Sequence, residues 1–405
     1  MPFGPRADKV SFMTGHFFVV QGDLLRLACD AVVVPCDTHV DVNRAWRELL
    51  PVERVTPGHW DWDHVTGSVI EDHHVDLPPS EGRCVSLVVT AAPGGVGVEE
   101  LVDRVVLAVK RAAARGLHPQ QGRSLPLVAL PLVGTGEGGL HARRGLVVSK
   151  LVPRLMELAR TAAFDVALVL HDRRDFAAVQ SARTHAVGAG IADAGWEALP
   201  AHLREEADLL GLRAARGELS LFLGSGVSAP VGLPSWDQLL TKMAQHPKIP
   251  RSWVLNPDRL IEAEDLKERL GEEYEPFMRA TFDVDRHALG HALLADLKVS
   301  QMVTTNYDPC LELALDSIHG EQNYSVLTRS LPVGGRPWLL KLHGDIRRPG
   351  SLVLTQSDYD RLKGEGAALH GVVQSLMLTS HLLFVGFLAL YPKLNQLVIA
   401  QAFYQ

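Results

Sequence analysis

The chain has 405 residues, 46% hydrophobic and 21% charged, with a formal net charge of −7. That length accommodates two hydrophobic cores, the composition is ordinary for a globular protein, and the acidic balance argues against general nucleic-acid coating. No apolar run approaches the roughly 20 residues that span a bilayer, and no signal-peptide core follows Met1. The four cysteines, Cys29, Cys36, Cys84 and Cys310, include no Cys-x-x-Cys pair. A cytoplasmic protein with reduced thiols and no zinc ribbon is expected.

Phe17 to Val20 reads as a strand leaving through Gln21-Gly22-Asp23, and Ala31 to Pro35 as a second. Asn43 to Leu50 has helical spacing, with Trp46, Leu49 and Leu50 on one face. Cys84 to Thr90 is a buried strand ended by Pro93-Gly94-Gly95. A long helix is predicted from Val98 to Arg115, with Gly116 at its end. Leu125 to Leu132 is a strand followed by the glycine loop Gly134 to Gly139. A helix over Arg144–Arg160 and a strand over Asp165–Leu170 complete an alternation that predicts a mostly parallel sheet covered on both sides.

Four segments, Gly22-Asp23-Leu24, Val32-Val33-Val34-Pro35, Val88 to Pro93 and Ala129 to Gly136, resemble a macrodomain in order and context, over about Phe17–Leu170. The resemblance implies a three-layer α/β/α domain binding ADP-ribose or a related nucleotide. Asp23 would lie near the adenine, with Gly134, Gly136 and their loop around the phosphates. The family's Asn-Ala-Ala-Asn segment is Pro35-Cys36-Asp37-Thr38 here, which speaks against ADP-ribosyl hydrolysis; a docking role is the alternative. His59-Trp60-Asp61-Trp62-Asp63-His64 resembles the metal signature of metallo-β-lactamase-type hydrolases. With His73-His74 it is read instead as polar surface loop, and no metal is expected.

Gly188-Ala189-Gly190 reads as a hinge, dividing the chain into residues 1–189 and 190–405, and Trp196 to Arg216 as a helical lead-in. The apolar strand Leu219, Leu221, Phe222 and Leu223 then breaks at Gly224-Ser225-Gly226. A glycine turn between a strand and a helix suits a nucleotide diphosphate, because backbone comes close and free N–H groups can face phosphate oxygens. Lys242 to His291 reads as a polar helical insertion placed to cover the cleft. Three further strands run into polar or glycine ends at Thr304 to Asp308, Lys341 to Asp345, and Gly386. Polar groups at the carboxyl ends of parallel strands are where open α/β sheets bind ligands.

These blocks, with Gly232-Leu233-Pro234-Ser235-Trp236, resemble a SIR2-like domain: a Rossmann-type parallel sheet with a helical insertion, from about Trp196 onward. The resemblance implies NAD as the substrate. Gly224, Ser225, Gly226 and Ser228 would hold the pyrophosphate, with Pro234, Trp236 and Gly386 among the contacting positions. Thr305 and Asp308 would lie near the nicotinamide ribose, with Asn306 and His343 catalytic. A neutral amide can orient a ribose or water beside an oxocarbenium-like centre, and a histidine can take a proton. Deacetylating sirtuins carry a zinc module that this chain lacks. The departures match bacterial SIR2-like proteins of anti-phage defence that hydrolyse NAD to nicotinamide and ADP-ribose. A triggered NAD hydrolase is therefore expected, as a homo-oligomer answering a phage trigger or defence partner. A non-catalytic nucleotide sensor and an NAD-dependent deacylase are the alternatives. Leu388 and Tyr391 replace the family's serine and aspartate in the final block.

Overall fold

The computed structural model describes residues 14–50, 73–80, 82–135, 139–192, 195–196, 199–320, 323–328, 335–348, 350–365 and 367–387. The cluster His59 to His64, Gly136, Leu388 and Tyr391 lie outside the described residues. Two compact units are present: Met1–Leu25 with Cys29–Pro200, and Arg26–Ala28 with Ala201–Gln405.

The first unit is built on six strands: β1 (Phe17–Gln21), β2 (Ala31–Asp37), β3 (His74–Ser80), β4 (Arg83–Ala91), β5 (Leu127–Pro131) and β6 (Asp165–Leu170). Their order is β1-β6-β5-β2-β4-β3. All neighbours are parallel except the antiparallel pair β3 and β4. The central strands are Val- and Leu-rich without alternation because both faces are buried. Val33, Val88, Leu130 and Leu168 face Leu101, Val105, Val147, Leu151 and Val179 of the helices Val98–Ala113, Arg144–Arg160 and Arg173–Gly188. Val32, Val34, Leu87, Ala129 and Ala167, at alternate positions, are buried as well.

The structure departs from the sequence reading in three places here. His74 is not in a polar surface loop. It sits in β3, 5% exposed, with Nε2 3.4 Å from the Asp76 carboxylate. Pro78 and Pro79 disguise that strand, and an edge strand tolerates them because its outer side needs no ladder bond. Asn43 to Leu50 forms a 3₁₀ helix, Arg44–Leu49, whose first turn is capped by the Asn43 side chain accepting from the Ala45 N–H. Finally, Gly188 closes a helix rather than opening a linker. The chain stays with the first unit to Pro200, and Trp196 stacks on His16 with ring centroids 4.5 Å apart.

The second unit has five strands: β7 (Leu219–Leu223), β8 (Gln301–Thr304), β9 (Ser325–Leu327), β10 (Trp338–Lys341) and β11 (His381–Val385). They run in the order β11-β7-β8-β10-β9, all parallel. Between β7 and β8 lie the helices Trp236–Ala244, Arg259–Leu270, Tyr274–Phe282 and Leu289–Asp296. Trp236–Ala244 opens with a capping box between Ser235 and Gln238, which satisfies two of the donors a helix start leaves free. The insertion is less polar than its sequence suggests. Leu239, Met243, Leu266, Leu270, Met278 and Phe282 share one apolar cluster with Tyr307, Cys310 and Ile346. The insertion is thereby packed on the segments that follow β8 and β10. The strap Arg26–Ala28 also belongs to this unit: the Ala28 N–H donates to His287 O and the His287 N–H to Arg26 O, both at 2.9 Å.

Candidate active site

Strand register aligns the parts of the site. Val385 pairs with Leu223, Leu223 with Thr304, and Thr304 with Lys341. The last residues of four neighbouring strands therefore form one row, and the four following segments leave from one edge of the sheet. Asn306 and His343 each lie two residues beyond a member of this row, in the segments that leave the adjacent parallel strands β8 and β10.

The glycines hold the first of these segments against the last. The Gly224 N–H donates to Val385 O and the Gly226 N–H to Gly386 O, both at 2.9 Å. A Cβ on Gly226 would fall 2.8 Å from Gly386 O. One on Gly386, whose φ is +77°, would fall 2.7 Å from the Val227 nitrogen. The glycines are thus required by the closeness of two backbone segments. This corrects the expectation of a row of free N–H groups. The Val227 and Ser228 N–H groups also bond internally, to Gly224 O and Ser225 O. Among the described residues only Ser225 of this stretch has an N–H with no partner, and Ser225 is exposed.

Asn306 is placed by three bonds. Its backbone N–H donates to Thr304 Oγ1 at 3.0 Å, and Thr304 Oγ1 donates to Leu223 O at 3.1 Å. Its Nδ2 donates to Gly224 O and to Ser228 Oγ, both at 3.1 Å. Because a carbonyl can only accept, the Gly224 contact fixes the orientation of the amide. Both amide protons are spent on the protein, so Oδ1 is the group left to face a ligand. Thr305 is half-buried, its N–H donating to Leu223 O at 3.2 Å. Asp308 plays a structural part, because its carboxylate is buried and accepts from the Cys310 N–H at 3.1 Å, at the start of helix Cys310–His319.

Sequence reading missed His291. Its Nδ1 accepts from the Ala288 N–H at 3.2 Å, so the neutral ring carries its proton on Nε2, 3.3 Å from Ser228 Oγ. Ser228 Oγ thereby accepts from both Asn306 and His291. Burial pushes the His291 pKa down to about 4, against the pull of Asp308 and with the help of His287. No local motif could have shown this, since Ser228 and His291 lie 63 residues apart. His291, Asp308 and Cys310 bring ligand-type atoms within 4.8 Å of one another. The ring nitrogens of His291 and the Asp308 carboxylate are already engaged in the bonds just given, whereas the bond given for Cys310 is made by its backbone N–H.

His343 is half-buried, its carbonyl accepting from the Val353 N–H at 2.9 Å and its ring edge-on to Tyr359, centroids 5.4 Å apart. Burial, helped by nearby His370, lowers its pKa to about 4. The imidazole is thus neutral across the physiological range. Pro234 is buried just ahead of the capping box, and the Trp236 ring packs on the insertion core. Trp236 Nε1 is buried and has no hydrogen-bond partner among the described residues.

In the first unit Asp23 follows β1 and Gly134-Thr135 follow β5, at the same edge of the parallel sheet. Asp23 Oδ1 accepts from the Leu25 N–H at 2.9 Å, shaping its own turn. Gly134 has φ +74°, and a Cβ there would meet Leu101 Cδ2 at 2.4 Å. Cys36, at the end of β2, is buried, its thiol pushed up to about 12 by burial and by Asp37. That thiol is no nucleophile.

The family model for the SIR2-like domain matches residues 300–399, which hold both the Asn306 and the His343 segments. That match lies within the second unit. Curated proteins similar to this chain include the NAD(+) hydrolase ThsA of Enterococcus faecium, 27% identical over 192 residues, 45% of this chain and 40% of the relative. The NAD(+) hydrolases ThsA of Acinetobacter baumannii (strain 532279) and Bacillus cereus (strain MSX-D12) are 26% and 25% identical, over 44% of this chain. The matches span about two fifths of those relatives' lengths: 40%, 38% and 39%. Among solved structures, a mutant macrodomain of Oceanobacillus iheyensis with ADPR aligns over 44% of this chain and 97% of its own, at 13% identity and a TM-score of 0.31.

Proposed function

We propose that the chain is an NAD+ hydrolase cleaving the nicotinamide–ribose bond to give nicotinamide and ADP-ribose. The observation that carries this reading is the Asn306 amide, whose nitrogen is bound to Gly224 O and Ser228 Oγ. Its neutral Oδ1 accepts a hydrogen bond from one O–H of the attacking water beside the developing oxocarbenium centre. His343, held neutral, takes the other proton as the water attacks the anomeric carbon and nicotinamide leaves. The segments of Ser225, Trp236 and Thr305 line the dinucleotide side, with the exposed Ser225 N–H as an available donor. The relatedness of this unit to NAD(+) hydrolases supports the same reading.

For the first unit we infer binding of ADP-ribose or a similar nucleotide at the edge shared by Asp23 and Gly134. Its resemblance to a macrodomain and the common strand edge support this. In that scheme the protein is a triggered, homo-oligomeric effector of anti-phage defence in which a nucleotide signal acts on NAD hydrolysis. Two measurements test the two halves. Purified protein incubated with NAD should release nicotinamide and ADP-ribose in equal amounts without any acylated peptide. Titration calorimetry with ADP-ribose should show binding that Asp23→Ala weakens by about tenfold, the effect of losing roughly one charged hydrogen bond. Equal heats for parent and variant would rule out Asp23 as a ligand contact.

A further inference from the structure

Lys341 is the last residue of β10 and is fully buried, with no exposed surface. An ammonium has three protons, and here each has an acceptor: Tyr307 O at 3.1 Å, Asp308 O at 2.8 Å and Glu312 Oε1 at 2.6 Å. The Asp345 carboxylate lies 3.5 Å away. Two of the three acceptors are backbone carbonyls of the two residues that directly follow Asn306. Tyr307 O also accepts from the Ile346 N–H at 3.1 Å, three residues past His343. One buried cation is therefore bonded to the Asn306 segment and paired with the end of the His343 segment.

We propose that Lys341 is a positioning residue of the active site, its ammonium drawing the carbonyls of Tyr307 and Asp308 together and so setting Asn306 and His343 in register. A buried lysine is costly, and an apolar pair of similar volume is often as stable or more so. Charge balance alone thus gives little reason for an ammonium here. The two carbonyls give one, because no apolar side chain could bind them. Burial works against the charge, and Glu312, Asp345 and Asp308 more than compensate, so Lys341 stays protonated. Glu312 supplies the counter-charge, its Oε1 bonded to Lys341 and its Oε2 without a hydrogen-bond partner among the described residues.

The inference rests on the NAD hydrolase reading, and the test separates the two. Full-length parent, Lys341→Met, Glu312→Gln and Lys341→Met/Glu312→Leu are compared by NAD turnover, by thermal midpoint and by hydrogen exchange of the Thr305–Cys310 amides without ligand. Lys341→Met should lower kcat by about a hundredfold, the size of effect expected for misplaced reacting groups. KM should change by less than about threefold, since the loss falls on the transition state. The double variant, which removes the Lys341–Glu312 charge pair together and leaves only Asp345 without its cation, should regain part of the midpoint while kcat stays low and the Thr305–Cys310 amides exchange fast. Glu312→Gln should lower the midpoint and leave kcat and exchange near parental. Recovery of kcat together with the midpoint in the double variant would overturn the proposal. So would parental exchange rates in both Lys341 variants. A parent that never turns over NAD, but shows the same exchange pattern, would sink the hydrolase reading and leave the anchor standing.

Discussion

At the scale of single residues, the site is a set of neutral groups held by backbone. Asn306→Asp is nearly isosteric but cannot donate to Gly224 O, and it sets a carboxylate against a carbonyl. Turnover should fall by at least about a hundredfold, as when one preorganised donor is removed, with the thermal midpoint also lowered. His343 and His291 make a second prediction. Both pKa values are lowered in the folded protein, from 6.5 to about 4. Below pH 6.5 the unfolded chain binds protons that the folded one refuses, so the stability held by these rings is complete above about 6.5 and is lost as pH falls toward 4. Urea midpoints should therefore drop between pH 7 and pH 5, and a His291→Gln/His343→Gln variant should show a shallower drop. An unchanged slope would mean that these rings take up protons in the native state as readily as in the unfolded chain.

At the scale of elements, much was legible because strand composition is direct. The helix Arg144–Arg160 and the strand Asp165–Leu170 have the bounds their apolar patterns suggest. Thr304-Thr305-Asn306 and Lys341-Leu342-His343 end strands as polar residues after apolar runs should. What stayed hidden depends on partners distant in sequence. His291 meets Ser228 only through the fold, and Lys341 looks like an ordinary surface lysine until β10 is flanked by β8 and β9. The glycines were legible as a turn but not as what they are, two segments back to back. That contact gives a third prediction. Gly386→Ala, at φ +77° with its Cβ 2.7 Å from the Val227 nitrogen, should destabilise the second unit by roughly 1–3 kcal/mol, the usual cost of such strain. Gly232→Ala, also at positive φ (+89°) but with open space around it, should cost less. Equal losses in thermal midpoint would show that the close approach to Val227 adds nothing.

At the scale of the whole molecule, each unit has its own sheet and apolar core, so each should respond to its own ligand. In calorimetric unfolding, ADP-ribose at about 100 times its Kd should raise one transition, by about 2.7 kcal/mol of linkage. NAD with the inactive Asn306→Ala chain should raise the other. Both ligands raising the same transition would mean that one unit binds both. The distinction matters because ADP-ribose is the expected product of one unit and the expected ligand of the other.

The central claim is that the carboxyl edge formed by β7, β8 and β10 hydrolyses NAD. The most direct measurement is nicotinamide release from NAD by the purified chain beside Asn306→Ala and His343→Ala, each first shown to retain the parental fold by circular dichroism. The account predicts release by the parent and loss of at least about a hundredfold in either variant. Turnover that persists in both folded variants would contradict it.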